Sequence, residues 1–380
     1  MLARPRYPCL IAAGYLIAGT TLLVLLALLA GLSRLAANTG GDDLAIVLPR
    51  AALVDEGARN ISPEQVGIVS ALPGIARDRD GRAMTAPQFV AYARIRSKDG
   101  PPGSVLIRGV TPEFFRVIDD RFRIVSGRLP RAGNEELVAG IGASDSFVAL
   151  DPGSSIKIRR SSIWHACGTF VAGGGFWESE LWTSADALRA AYGNSSDVTS
   201  IWIKLSSPGG YDVLAKALRS DPRLESLSVH RQPDFYAAQS GFLEHFAYVA
   251  ILVVSVALGS GAILASANSI AIALRGRRRE LAVMRALGFR RRDLAISLMF
   301  EVWLIGLLST SIVVLMGAMF WDGHAIDSAT FGRAVHFEAA LNCKVALLTL
   351  AYILALGIFA AILPIRKVVV APLVTSLRDE

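Results

Sequence analysis

The residues best suited to chemistry in this chain are arranged for very little of it. Five histidines, His165, His230, His245, His324 and His336, show no His-Glu-x-x-His or other metal-ligand spacing. Three cysteines, Cys9, Cys167 and Cys343, form neither a Cys-x-x-Cys pair nor a disulfide framework. A Cys167–Cys343 bridge and free thiols both stay open. There is no Gly-Lys-Ser/Thr phosphate loop, nor even a Gly-Lys pair, so nothing is legible that could cradle a nucleoside triphosphate. The Gly-rich segment 173–180 lacks that Lys-Ser/Thr pair and reads as a turn between strands. No Ser-His-Asp or paired-carboxylate arrangement can be defended. Trp177 and Trp182 read as core or stalk-facing contacts rather than a ligand box. The expectation is a chain that is not a catalyst and binds no metal or cofactor of its own.

What the sequence does concentrate is positive charge. Residues 276–293, GRRRELAVMRALGFRRRD, hold seven arginines, Arg277, Arg278, Arg279, Arg285, Arg290, Arg291 and Arg292, against Glu280 and Asp293. Within this loop Leu281, Met284 and Leu287 recur at every third position, the pattern of an apolar ridge on a short helix that stops at Gly288. Such a ridge needs a cover, either the lipid interface or a groove on another protein. Just beyond the loop, Glu301 is the only charge in a long apolar run. It is read as snorkelling, as pairing with Arg292 or as touching a neighbouring helix, a structural or coupling contact rather than ion transport.

These residues sit between apolar runs long enough to cross a membrane. Four spans are expected, within 7–33, near 246–271, near 298–321 and near 345–365. Composition agrees: 53% of residues are apolar and mean hydropathy is positive. The first run exceeds a signal-peptide core and is read as an uncleaved anchor. The net charge of +7 is unevenly placed. Residues 33–245 balance 24 Lys/Arg against 24 Asp/Glu, while the loop, the N-terminus and the Arg366-Lys367 pair carry the excess. That is positive-inside patterning and not a nucleic-acid patch, and it predicts both termini in the cytoplasm.

About 210 residues then lie outside, enough for a domain. Segments 44–48, 88–95, 104–110, 136–141, 155–158, 162–171 and 199–205 read as strands. Helices are expected at 62–72 and 111–118, opened by Ser-Pro-Glu and Thr-Pro-Glu, and at 184–192 and 210–220. Residues 232–246 should run without a break into the second span as a stalk. In that span Ala257, Gly261, Ala265 and Ser269 fall four apart. Small residues so spaced serve either packing within one bundle or a candidate dimer seam.

The loop and the span after it resemble the core of the FtsX-like permease domain of ABC transporters, through Arg277, Glu280, Leu281, Val283, Arg285, Ala286, Leu287 and Gly288. The ending LPIRKVVVAPLVTSLRDE, with Pro364, Leu377 and Arg378, is similar to it too. The external region resembles the periplasmic core domain of MacB-type transporters at 107–115, 126–140, 153–158, 168–184 and 201–205. The resemblance covers nearly the whole chain.

It implies an α-helical integral membrane protein of four transmembrane helices, with a mixed α+β extracytoplasmic domain inserted between helices 1 and 2. The expected domains are helix 1 in 1–33, a periplasmic MacB-type core domain with stalk in 34–240, an FtsX-like permease domain in 241–372 and a cytoplasmic tail in 373–380. The resemblance further implies a permease subunit in the bacterial inner membrane, paired with itself or a second permease. An ABC ATPase subunit would be its partner and a periplasmic adaptor a further candidate. With six residues before the first span, the ATPase is expected on a separate chain, where ATP binds. Arg277, Glu280, Leu281, Met284, Arg285, Leu287 and Gly288 would form its coupling helix. Alternatives are an FtsX-like regulator of cell-wall hydrolases, a lipoprotein-releasing permease and, from another class, a membrane-anchored sensor or adhesion module.

Overall fold

A computed structural model describes the chain except residues 1–5, 40, 53–55, 57–59, 99, 159–161, 194–197, 321–324, 331–332 and 371–380. Leu377 and Arg378, and with them the whole tail 373–380, lie outside the described residues. In chain order the elements are α1 (Arg6–Asn38), β1 (Leu44–Pro49), α2 (Pro63–Ala71), β2 (Thr85–Ile95), β3 (Gly103–Val110), α3 (Pro112–Ile118), β4 (Arg123–Gly127), β5 (Glu136–Gly140) and α4 (Ile141–Ser146). There follow β6 (Ser155–Lys157), β7 (Ile163–Val171), β8 (Leu181–Ser184), α5 (Ala185–Tyr192), β9 (Ser200–Lys204), α6 (Gly210–Ser220) and β10 (Leu227–Arg231). The chain continues through α7 (Gln232–Arg275), α8 (Arg278–Ala286), α9 (Arg291–Phe320), β11 (Ala325–Thr330), β12 (Arg333–Glu338) and α10 (Cys343–Val370).

The chain divides into two compact units. The helical unit comprises Met1–Gly31, His245–His324 and Glu338–Glu380. Among the described residues four stretches are long and apolar enough to cross a membrane: Pro8–Leu35, Gln232–Arg275, Arg291–Phe320 and Cys343–Arg366. The core of this unit gathers Ile11 and Tyr15 from α1, Ile270 and Leu274 from α7, Val302 from α9, and Ile353 and Ala360 from α10. Close approach there depends on Gly259, where an added Cβ would sit 2.8 Å from the Tyr352 hydroxyl. That hydroxyl donates to the Ser255 carbonyl at 2.7 Å.

The sheet unit comprises Leu32–Glu244 and Ala325–Phe337. Its main sheet runs β10-β1-β9-β2-β3-β8-β5-β7-β4, with β6 on β7. The pairs β3–β8 and β5–β7 are parallel and the other pairs antiparallel. β1 is buried at all six positions, whereas β7 alternates, as expected of central and half-covered strands. β11 and β12 form a separate ribbon.

Local sequence explains several starts. Ser62 caps α2 in a capping box: its hydroxyl accepts from the Gln65 N–H at 3.2 Å, and the Gln65 side chain accepts from the Ser62 N–H at 3.3 Å. Thr111 holds the same position before α3 but makes no capping bond to the helix backbone. The expected stalk begins at Gln232, the first residue of α7, whose Phe235 and Tyr236 are buried in the sheet unit. All three cysteines are free thiols.

Candidate functional site

The basic loop folds as a helix between two turns. α7 ends at Arg275, and α8 covers Arg278–Ala286. Gly288 stops α8: with φ at +97° its N–H bonds the Arg285 carbonyl at 3.1 Å, and the Phe289 N–H reaches the Met284 carbonyl at 3.2 Å. This paired closure needs a left-handed residue, which glycine adopts without a Cβ penalty.

The expected ridge does not lie on one face. A helix turns about 100° per residue, so three-residue steps drift, and Leu281 and Leu287 end about 120° apart. Leu281 is 7% exposed and joins the helical core with Leu294 and Leu298, and Met284 packs partly against the same cluster. Leu287 is 74% exposed, beside exposed Val283 and Phe289. Leu281 and Met284 therefore face the protein's own helices, and the outward apolar patch is Val283, Leu287 and Phe289. Phe289 was overlooked because it follows the helix stop. Arg279 and Arg290 are exposed around this patch, and Arg285 is half-buried.

Arg277, not Arg292, meets Glu301: its Nη1 lies 3.5 Å from Oε2, with the two side chains 31% and 20% exposed. Its Nε stands 4.0 Å from Glu280, which is mostly exposed. The contact ties the turn after α7 to the third turn of α9.

Of the small-residue stripe, Ala257, Gly261 and Ala265 are exposed, and an added Cβ at Gly261 would meet nothing within 4 Å. Ser269 is buried and donates to the Ala265 carbonyl at 2.9 Å. Contact within the bundle runs instead through Gly259, Ala262 and Ser266.

The sheet unit hides a charged constellation that sequence reading missed. Arg108, in mid-β3, is fully buried. Its Nε and Nη2 donate to Glu180 at 2.7 Å each, and Nη1 and Nη2 donate to Glu56 at 2.7 and 3.1 Å. Nη1 also reaches Gln88 at 2.7 Å, and Ser200 donates to Glu56 at 2.6 Å. Burial pushes the Glu56 carboxyl up, but the charge and hydrogen bonds of Arg108 outweigh it and hold the group below the usual 4.5. The available signal was an arginine inside an otherwise apolar strand. Around it Phe114, Trp177, Trp182, Trp202 and Tyr236 form an aromatic cluster, in which the Trp177 indole donates to the Tyr236 hydroxyl at 2.9 Å. Glu178 closes the glycine-rich turn by accepting from the N–H groups of Ala172 and Gly174. Among the described residues no three His, Cys, Asp or Glu side chains gather as a metal site.

Residues 248–373 match the FtsX-like permease C-terminal family. No curated protein matches the chain. Among solved structures, one similar region is the periplasmic region of MacB from Actinobacillus actinomycetemcomitans, 13% identical, spanning 50% of this chain and 90% of that one with a TM-score of 0.37. Another is the extracellular domain of the noncanonic ABC-type transporter YknZ from Gram-positive bacteria, 11% identical, spanning 50% and 100% with a TM-score of 0.36.

Proposed function

We propose that this chain, a member of the FtsX-like permease family of ABC-type transporters by its residues 248–373, is the membrane-spanning subunit of a system powered by an ATPase on a separate polypeptide. The observation that carries the reading is the family match over a segment whose one short helix, α8, leaves Val283, Leu287 and Phe289 uncovered among arginines. A patch of that kind fits an apolar groove with an acidic rim. ATP-driven closure of two ATPase subunits would press on α8. The Arg277–Glu301 contact would pass the push to α9, and α7, one helix from Arg275 back to Gln232, would carry it to the sheet unit. The output is movement on the far side of the membrane, for export or extraction of a substrate. Apart from Glu301 the apolar helices offer little lining for a hydrophilic channel.

In the orientation we favour, the arginine-rich loop and both termini are cytoplasmic and the sheet unit lies outside, in the bacterial inner membrane. The permease works as a pair, with exposed Ala257, Gly261 and Ala265 as the seam.

The test is co-purification of the tagged chain with a phosphate-loop ATPase identified by mass spectrometry, with ATP hydrolysis measured on the complex and on each part. Hydrolysis should require the ATPase. Leu287→Asp should strip it from the complex while the chain stays folded, because burying an unpaired charge in an apolar contact costs several kcal/mol. Retention of the ATPase by both Leu287→Asp and Val283→Asp would remove α8 as the docking element. Orientation is read separately. With the native cysteines replaced, an outside-only thiol reagent should modify a cysteine placed at Gly103 and spare one at Gly288.

A further inference from the structure

The sheet unit also holds an open cleft of about 440 Å³, within the size range of small-molecule sites. Two arginines reach it from one short segment, Arg121 and, opening β4, Arg123. Phe122 between them and Trp177 supply aromatic surface, and Asn38 and Gly173 complete the wall.

The two guanidinium groups are not spent within the fold. Arg121 gives Nη2 to Asp43, but its Nη1 is buried with no hydrogen-bond partner. Arg123 is exposed and makes no ion pair with any described residue. A buried guanidinium N–H without an acceptor is costly, and a turn of the Arg121 side chain toward the cleft would let an anionic oxygen relieve that cost. Guanidinium also suits phosphate and carboxylate in geometry. The remaining surface is not that of a simple anion hole. Trp177 is 2% exposed, held by its bond to Tyr236, and Phe122 stacks obliquely toward Trp182 at 5.7 Å between centroids. The cleft thus joins a cationic end to a fixed aromatic side. It also lies close to apolar chain: Asn38 follows Leu35, the end of the first apolar stretch, by three residues, about 4.5 Å along the helix.

We propose that this cleft binds an anionic amphiphile, its phosphate or carboxylate held by Arg121 and Arg123 and its apolar part laid against Phe122 and Trp177. The site belongs to the sheet unit alone and stands whether or not an ATPase drives the chain.

Calorimetric titration of the full chain in non-ionic detergent tests it, with water-soluble hexyl phosphate as probe and inorganic phosphate and hexanol as controls. Hexyl phosphate should bind saturably, about tenfold or more tighter than inorganic phosphate, and hexanol should not saturate. Arg123→Glu, at an exposed position, should weaken hexyl phosphate by about tenfold or more with an unchanged melting midpoint, and Arg121→Gln should weaken it in the same sense. Repeating the titration in nanodiscs separates the sources. Loss of probe binding in discs rich in phosphatidylglycerol, but not in phosphatidylcholine discs, identifies a membrane lipid as the occupant. Equal binding in both identifies an amphiphile that arrives from solution. Absence of saturable binding, equal affinity for inorganic phosphate, or full affinity in Arg123→Glu would overturn the proposal.

Discussion

In the sheet unit one of the largest fully buried side chains is an arginine, whereas in the helical unit some of the most exposed large side chains are leucines. Arg108 is 0% exposed, surrounded by two carboxylates, an amide and aromatic rings. Leu264 and Leu287 are 72% and 74% exposed. The sheet unit takes charge inward and satisfies it. Along its long apolar stretches the helical unit keeps its outer faces apolar, and its charge gathers in the loop around α8, where Arg277 meets Glu301. Apolar surface on the scale shown by α7, α9 and α10 is uncommon on proteins that face only water, and it supports the membrane reading. The same comparison separates two uses of an exposed leucine. Leu264 lies within a long apolar helix, where lipid is a sufficient cover. Leu287 lies among arginines at the end of a short helix, where a protein groove suits better.

The largest effect should come from emptying the buried network. Arg108→Met leaves Glu56 and Glu180 buried without their counter-charge, a change that costs about 3–5 kcal/mol. Tryptophan fluorescence can follow it, since Trp164, Trp177, Trp182 and Trp202 lie in the sheet unit. The pH dependence should also change sign. In the native protein the folded Glu56 carboxyl sits below its ordinary 4.5, so its contribution is full above that value and lost as pH falls through the folded pKa. In Arg108→Met burial, the largest cause, is opposed only by the hydrogen bonds from Ser200 and Trp202 and raises the folded pKa, so the variant should gain stability as pH is lowered from 7 toward 5. A native-like pH profile in the variant would mean that Arg108 does not hold these carboxylates.

A smaller, paired effect tests the division within α8. Leu281→Ala removes a core side chain and should cost about 2–5 kcal/mol, read by circular dichroism during unfolding in mild detergent. Leu287→Ala should change stability by no more than about 0.5 kcal/mol. Equal losses would mean that the two leucines share one environment, as the sequence pattern alone suggested. By the same reasoning a charge placed at Met284 would disturb the helical core and not the outward patch.

What could be read in advance was mostly what is encoded over a few residues. The four apolar stretches, the Ser62-Pro63 start of α2, the Gly288 stop and the start of α7 at Gln232 depend on run length, capping and backbone freedom. β4, β8, β10 and α4 were not foreseen. β8 has four residues, too few for periodicity to show, and its place comes from parallel pairing of Leu181 with Ile107, a contact remote in sequence. The ribbon of β11 and β12 was missed as well, in a segment with no apolar run to mark it. The Arg108 network draws on Glu56, Gln88, Glu180 and Ser200, which only the folded sheet brings together. The ridge fails for a different reason: a strict three-residue repeat does not stay on one face of a helix with 3.6 residues per turn.

A single bond ranks next. Trp177→Phe keeps the aromatic packing around Phe114 and Trp202 but loses the indole N–H donated to Tyr236. The expected cost is about 1 kcal/mol, the usual net value of one hydrogen bond. Thermal unfolding should show it, and Tyr236→Phe should then cost less in the Trp177→Phe background than in the native protein. A full additional loss in the double variant would show that the two groups act separately.

The smallest effect should come from the exposed counterpart of Arg108. Arg128 also donates twice to one carboxylate, reaching Glu136 at 2.6 and 2.7 Å. Those bonds, joined by the Arg131 N–H, outweigh a small burial effect and lower the Glu136 carboxyl to about 2. Because the folded pKa is depressed, whatever the pair contributes is present above the ordinary 4.5 and disappears as pH falls toward 2. The guanidinium here is 45% exposed, so most of its attraction is screened, and its removal leaves Glu136, 14% exposed, still bonded to the Arg131 N–H. Arg128→Ala should therefore lower the melting midpoint at pH 7 by an amount close to the scatter of repeat measurements, and by less still at pH 3. A loss comparable with that of Arg108→Met would mean that bidentate geometry, and not burial, sets the strength of these pairs.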